Sequence, residues 1–243
     1  MPIAVLKKRV LVMMALFLSL IADAQLQNDL SLPYLVREAF VKSSKPPIII
    51  LLHGYGSNEA DLFGLQNRLP ADFTVISVRA PMTLSENSFQ WFRMETVNGV
   101  MQGQVEDLES SRKKIVAFIP QIVAKYKADP KQVFLCGFSQ GAMMCYEVGL
   151  RSPELIKGIA PLSGKVFPSL KPDVKPKSAL RDLKVFIGHG DADMRVAYTY
   201  ATEANAYLIS LGMQPEFHTY KGLGHSIQMN ELADLTPWLQ RVK

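Results

Sequence analysis

A serine with a glycine two places to either side, Gly137-Phe138-Ser139-Gln140-Gly141, is the first stretch whose residue types and spacing suggest chemistry. The apolar run Val133 to Cys136 precedes it, and helix-forming Ala142, Met143 and Met144 follow, which describes a buried strand turning sharply into a helix. Such a turn holds the serine in a strained, exposed backbone position, and small residues at Gly137 and Gly141 let the strand and helix backbones crowd together. A serine hydroxyl is a weak nucleophile at neutral pH. It needs a general base, an acid that orients the base, and donors for the oxyanion that attack creates. Without them a serine between glycines is an ordinary turn.

The elements that would supply those partners follow one another along the chain. After a leading segment with a candidate edge strand between Leu32 and Val41, Ile48 to Leu52 is a continuous apolar run with three β-branched residues, the pattern of a strand buried on both faces. His53-Gly54-Tyr55-Gly56 comes directly after it, and Ser57 or Asn58 caps a helix that carries Leu62, Phe63 and Leu65 inward. Phe73 to Val78 reads as a second strand, and Arg79 to Gly103 as an irregular segment holding Phe89, Trp91, Phe92 and Met94. Val105 to Tyr126 is a long amphipathic helix with Pro120 inside it. Beyond the serine turn, strands are expected at Lys157 to Leu162, Val185 to Ile187 and Pro215 to Tyr220, and helices at Val196 to Leu211 and Glu231 to Arg241. Phe167 to Lys177, rich in lysine and proline, reads as a solvated surface excursion. Alternating strands and helices with short loops predict an α/β fold, a mainly parallel central sheet with helices on both faces, in one domain from residue 46 to 243 led by residues 25 to 45.

Loops at the carboxyl ends of parallel strands share one edge of the sheet, so residues distant in sequence meet there. Four such loops end in Tyr55, Ser139, Asp193 and His225. The chain order serine, acid, histidine is that of an α/β-hydrolase triad, unlike the orders of chymotrypsin- or subtilisin-type proteases. Taken together, His53-Gly54-Tyr55-Gly56, Gly137-Phe138-Ser139-Gln140-Gly141, His189-Gly190-Asp191-Ala192-Asp193 and Gly222-Leu223-Gly224-His225-Ser226 resemble the phospholipase/carboxylesterase family, which includes small bacterial carboxylesterases and acyl-protein thioesterases. The resemblance runs from about Pro46 to the C-terminus. It implies an α/β-hydrolase fold and cofactor-free, metal-free cleavage of a small-molecule carboxylic ester or thioester. Carried over by position, Ser139 is the nucleophile, Asp193 the acid and His225 the base, with Asp191 competing for the acid role and the family's His-Gly-x-x-Asp pattern favouring Asp193. The implied oxyanion donors are the backbone N–H groups of Tyr55 and Gln140, whose side chains are expected to matter less. Trp91 and Phe92 fall where the resemblance places a substrate-facing loop, and Met194 is a second candidate wall residue. His53 and His189 read as loop supports.

Residues 1 to 24 differ in kind. Lys7, Lys8 and Arg9 precede an uncharged run from Val10 to Ile21, and Ala22-Asp23-Ala24 offers a cleavage site before Gln25, the pattern of a secretory signal peptide. The run is shorter than the roughly 20 residues a spanning helix needs, so an exported protein without a stable membrane anchor is expected. Cleavage would remove three positive charges and one negative charge, taking the net charge from +5 to about +3, which is no nucleic-acid signature. Cys136 and Cys145 could pair in an exported protein, but both lie on apolar segments and buried free thiols are the favoured expectation. The sequence says nothing of oligomeric state. The leading expectation is an exported serine carboxylesterase, with a lysophospholipase or thioesterase, or a carbohydrate-ester esterase, as alternatives within the same chemistry. A noncatalytic binding protein on the same scaffold is the alternative of a different class.

Overall fold

The computed structural model describes residues 25–176 and 178–243, and the expected signal peptide at 1–24 lies outside them. Seven strands form the central sheet: β1 (Tyr34–Arg37), β2 (Ile48–Leu52), β3 (Thr74–Val78), β8 (Val133–Phe138), β9 (Gly158–Leu162), β10 (Lys184–Gly190) and β11 (Glu216–Tyr220). Their spatial order is β1-β3-β2-β8-β9-β10-β11. All neighbours pair in parallel except the edge strand β1, which runs antiparallel to β3. The strand leading to Ser139 therefore lies at the centre of the sheet, between β2 and β9.

Helices cover both faces, and the alternation of side chains along each strand explains why. Ile48, Ile50 and Leu52 of β2, with Val133 and Leu135 of β8, point into one core with the long helix α2 (Val105–Lys125), through Leu108, Ile115, Phe118, Ile119 and Ile122. Helices α3 (Gln140–Arg151) and α5 (Thr199–Ser210) complete that layer. Ile49 and Leu51, with Phe134 and Cys136, face the other way, onto α1 (Glu59–Phe63) and the C-terminal α6 (Met229–Val242) through Leu62, Leu232, Leu235, Trp238 and Leu239. Each fully buried Leu, Ile or Phe contributes about 1.5–3 kcal/mol, so a strand that fills both cores resists displacement from either side. Asn58 caps α1, its Oδ1 accepting the Ala60 N–H at 2.9 Å. Helix α4 (Ser178–Asp182) is a short turn before β10. Cys136 and Cys145 are free and buried, and burial pushes the Cys136 thiol up to about 12.

Two expectations are corrected. Arg79 to Gly103 is not irregular: it folds into two antiparallel hairpins, β4 (Met82–Ser85) with β5 (Ser88–Gln90), and β6 (Met94–Val97) with β7 (Val100–Gly103). Their turns place Asn87 at φ 56°, Asn98 at φ 51° and Gly99 at φ 78°, the left-handed conformations that Asn and Gly adopt most readily. The Phe167 to Lys177 excursion is also less solvated than its charges suggested. Phe167, Leu170 and Val174 are buried and Asp173 pairs with Arg151 of α3, while Lys171 and Lys175 face water.

Candidate active site

Ser139 sits between β8 and α3 at φ 55° and ψ −114°, a conformation an L-residue holds only when its surroundings impose it. The close approach that imposes it has two parts. A β-carbon on Gly137 would meet the Gly141 carbonyl oxygen at 2.2 Å, which is the expected crowding of strand against helix. A β-carbon on Gly141 would instead lie 1.8 Å from the carbonyl oxygen of Leu52, so this glycine lets α3 approach the end of the neighbouring strand β2 rather than its own.

The structure brings Ser139, His225 and Asp193 together. His225 comes from the loop between β11 and α6, and its Nε2 lies 3.0 Å from the Ser139 hydroxyl oxygen. Its Nδ1 lies 2.7 Å from Asp193 Oδ2. A carboxylate only accepts, so Nδ1 carries the proton and Nε2 is left to accept from the serine hydroxyl. The Phe138 ring packs 4.8 Å from the imidazole and fixes its tilt. Asp193 is itself held: its Oδ1 accepts the N–H groups of Arg195 and Val196, both at 2.9 Å. Burial acts to raise its pKa, but the His225 hydrogen bond and these two amides together outweigh it and hold the carboxyl below the usual aspartate range. Asp191 has a different task, accepting the Gly222 N–H at 2.6 Å and so bracing the loop that carries His225.

The turn after β2 carries Tyr55, one of the two expected oxyanion donors. A β-carbon on Gly54 would lie 3.5 Å from that of Ser139, so this turn abuts the serine. Among the described residues, the backbone N–H groups of Tyr55 and Gln140 donate to no protein acceptor, which for Gln140 is usual because it heads a helix. His53 supports the turn as expected. Its Nδ1–H donates to the Gly54 carbonyl at 2.8 Å and its Nε2 accepts the Ala80 N–H at 3.0 Å, which fixes a neutral ring. Burial lowers its pKa accordingly. His189 does the same for the acid loop, its Nε2–H donating to the Val196 carbonyl at 2.8 Å.

The other expected residues fall differently. Trp91 and Phe92 are fully buried and form no exposed substrate wall: the indole N–H donates to the His53 carbonyl at 2.9 Å, and the Phe92 ring packs against Phe167. Met194 is 94% exposed, beside the acid but open to solvent, and Tyr55 is 59% exposed. The Gln140 side chain, expected to matter little, is buried and bonded to the backbone at both ends of its amide, accepting from Trp91 N–H at 3.0 Å and donating to the Phe92 carbonyl at 2.8 Å. Nothing local in the sequence signals that grip, because its partners are some fifty residues away in the chain. The first hairpin is stitched to the same turn, with Gly56 N–H donating to Phe89 and Asn58 Nδ2 to the Asn87 carbonyl. The described residues contain no group of His, Cys, Asp and Glu arranged to hold a metal ion.

Below the His225 loop, Glu231 in the first turn of α6 is 1% exposed. Its carboxyl presses on Gly188, where a β-carbon would meet it at 2.6 Å, and among the described residues neither oxygen makes a geometrically sound hydrogen bond. Burial pushes its pKa up to about 7, against a smaller opposing pull from the Gln228 backbone and with an added push from Asp234. An acid whose pKa is raised on folding binds its proton more tightly in the native state. Native stability therefore falls as pH rises from about 4.5 to about 7, by on the order of 3 kcal/mol from this group, and is flat above. Glu231→Gln is expected to remove that slope, measured as urea unfolding at a series of pH values. A variant that keeps the wild-type slope would assign the pH dependence elsewhere.

Residues 38–243 match the family model described as phospholipase/carboxylesterase. Carboxylesterase SOBER1 of Arabidopsis thaliana is 35% identical over 130 residues, 53% of this chain and 56% of that protein. Acyl-protein thioesterase 1 of Kluyveromyces lactis is 31% identical over 157 residues, 62% of this chain and 68% of that one. The chain thus spans between half and about two thirds of the length of these relatives. Among solved structures, the Bacillus cereus carboxylesterase superimposes with a TM-score of 0.74 over 91% of this chain and 97% of its own, at 23% identity, a likeness of fold.

Proposed function

The chain belongs to the phospholipase/carboxylesterase family of α/β-hydrolases, and from that premise we propose that it is a serine esterase acting through an acyl-enzyme on Ser139. The observation that carries the reading is the unbroken chain from the Ser139 hydroxyl to His225 at 3.0 Å and from His225 to Asp193 at 2.7 Å, mounted on a strained strand-to-helix turn. The Ser139 oxygen attacks the carbonyl carbon as its proton passes to His225 Nε2. The resulting oxyanion is stabilised by the N–H groups of Tyr55 and Gln140. Collapse breaks the bond to the leaving oxygen or sulfur, which takes the proton back from His225. Water then repeats the sequence against the acyl-serine, releasing the acid. Asp193 stays ionised throughout and stabilises the imidazolium.

The exposed rim at Tyr55 and Met194 supports short, water-soluble acyl esters. A thioester is the second reading, favoured by the likeness to an acyl-protein thioesterase, since the same steps serve a thiol leaving group. The pattern of residues 1 to 24 supports export before the enzyme acts. A fluorophosphonate probe tests the whole reading at once: the full-length chain, expressed in a bacterium, is expected to yield a labelled species outside the cytoplasm beginning at Gln25. The purified protein is expected to hydrolyse p-nitrophenyl acetate and butyrate faster than long-chain esters. A folded protein that neither labels nor turns over any ester or thioester would leave the noncatalytic scaffold as the better reading, and label confined to the cytoplasm would remove export from it.

A further inference from the structure

Every polar group of the buried Trp91 is engaged. Its N–H donates to Gln140 Oε1 at 3.0 Å, its carbonyl accepts the Ser111 hydroxyl of α2 at 2.5 Å, and its indole N–H donates to the His53 carbonyl at 2.9 Å. The next carbonyl, of Phe92, accepts Gln140 Nε2 at 2.8 Å. One buried dipeptide is therefore bonded on one side to the residue that heads α3. On the other side it is bonded to the peptide group just ahead of Gly54 and Tyr55. Those two places carry the N–H groups assigned above to the oxyanion, and they belong to different elements, one to a helix and one to an exposed turn.

We infer that Trp91 and the Gln140 carboxamide are positioning residues that set the separation of the two oxyanion donors. The inference rests on the esterase reading of Ser139 and deepens it. Donors of this kind work only within about 2.7–3.1 Å of where the oxyanion forms, and a misplacement of about 1 Å costs on the order of 100-fold in rate. The helix amide is fixed by α3. The turn amide has no helix or strand of its own. His53 and the Phe89 carbonyl brace the turn itself, and Gly141 lets α3 approach the strand before it, but a hydrogen-bonded link from the turn to the Gln140 side chain is still needed to hold the spacing. Trp91 spans them, and its third bond, to Ser111, anchors the strut to the long helix α2.

Trp91→Phe keeps an aromatic ring but removes the bond to His53. Gln140→Met keeps the volume but removes both amide bonds. Each is expected to lower kcat for p-nitrophenyl butyrate roughly 10- to 100-fold with KM changed by less than about threefold. Affinity for a trifluoromethyl ketone, which forms the oxyanion on Ser139, should fall by the same factor as kcat/KM, and the double variant by less than the product. Gln140→Glu supplies a signature that loss of packing would not. Its ionised carboxylate faces the Phe92 carbonyl acceptor to acceptor, whereas the protonated acid can donate to it, so the ratio of its rate to wild type should rise as pH is lowered. Melting temperatures identify folded variants, and if Trp91→Phe does not fold, the two Gln140 variants decide the matter. Folded variants with wild-type kcat and inhibitor affinity, a loss confined to KM, or a Gln140→Glu ratio independent of pH would each overturn the inference. Those outcomes leave wild-type turnover in place, whereas a wild-type protein that neither turns over esters nor labels would fail the esterase reading and this one with it.

Discussion

Ser139→Ala is expected to lower kcat/KM for p-nitrophenyl butyrate by roughly 10⁶-fold, to a residual rate set by the oxyanion donors and binding alone. The size follows from the chain of hydrogen bonds. His225 Nε2 has the serine hydroxyl as its partner, so removing that oxygen leaves a base with no nucleophile to activate. The backbone conformation is held by Gly137, Gly141 and the Ser139 N–H donating to the Leu162 carbonyl at 3.0 Å, none of which uses the hydroxyl. The melting temperature should therefore stay close to wild type, and fluorophosphonate labelling should vanish. Turnover retained at more than about a hundredth of wild type would mean that the acyl group is carried elsewhere.

Gly141→Ala is expected to have the largest effect on the fold of any single methyl added to this site. The new carbon would lie 1.8 Å from the Leu52 carbonyl oxygen, 2.5 Å from the Leu52 carbonyl carbon and 2.8 Å from the His53 oxygen. These are backbone atoms at the end of a strand buried on both faces, so no side chain can swing aside to relieve the contact. Either α3 retreats from β2 or the strand end peels away, and both separate Gln140 from the Tyr55 turn. A loss of about 3 kcal/mol or more is expected, which lowers the melting temperature by about 6–12 °C in a chain of this size. What remains folded should turn over substrate roughly 10²- to 10³-fold more slowly. Gly99→Ala is the matched control. Gly99 has φ 78° but open space around it, so it reports conformational strain alone, about 1 kcal/mol. Equal losses at the two positions would refute the contact argument.

Much of this was legible in the sequence because it depends on local pattern. The apolar run at β2, the Ser139 turn, the cap at Ser57 or Asn58 and the apolar stripe of α2 each follow from residues close together in the chain. Parallel strands then bring their loops to one edge, so Asp193 and His225 could be expected near Ser139 with no knowledge of a distance. The failures share a different cause. Trp91 and Phe92 fall where the resemblance places a substrate-facing loop, but both are buried and their backbone groups pair with a glutamine that sequence spacing does not connect to them. Phe167, Leu170 and Val174 are spaced among lysines and prolines, so no uninterrupted apolar run marks them as buried. The hairpin turns did carry a local signal, in Asn98-Gly99, that the aromatic content of the segment obscured.

The two hairpins share no ladder with the seven-stranded sheet. The turn of the second hairpin, at Asn98 and Gly99, can therefore lengthen, shorten or change side chains without shifting a strand register around Ser139, whereas that of the first is tied through Asn87 to Asn58. The backbone geometry around Ser139 is confined to the sheet edge and the buried strut between the hairpins, while the turn of the second hairpin at Gly99 has open space around it. On the esterase reading proposed above, such a division of labour lets that hairpin be exchanged while the geometry of Ser139, His225 and Asp193 is kept.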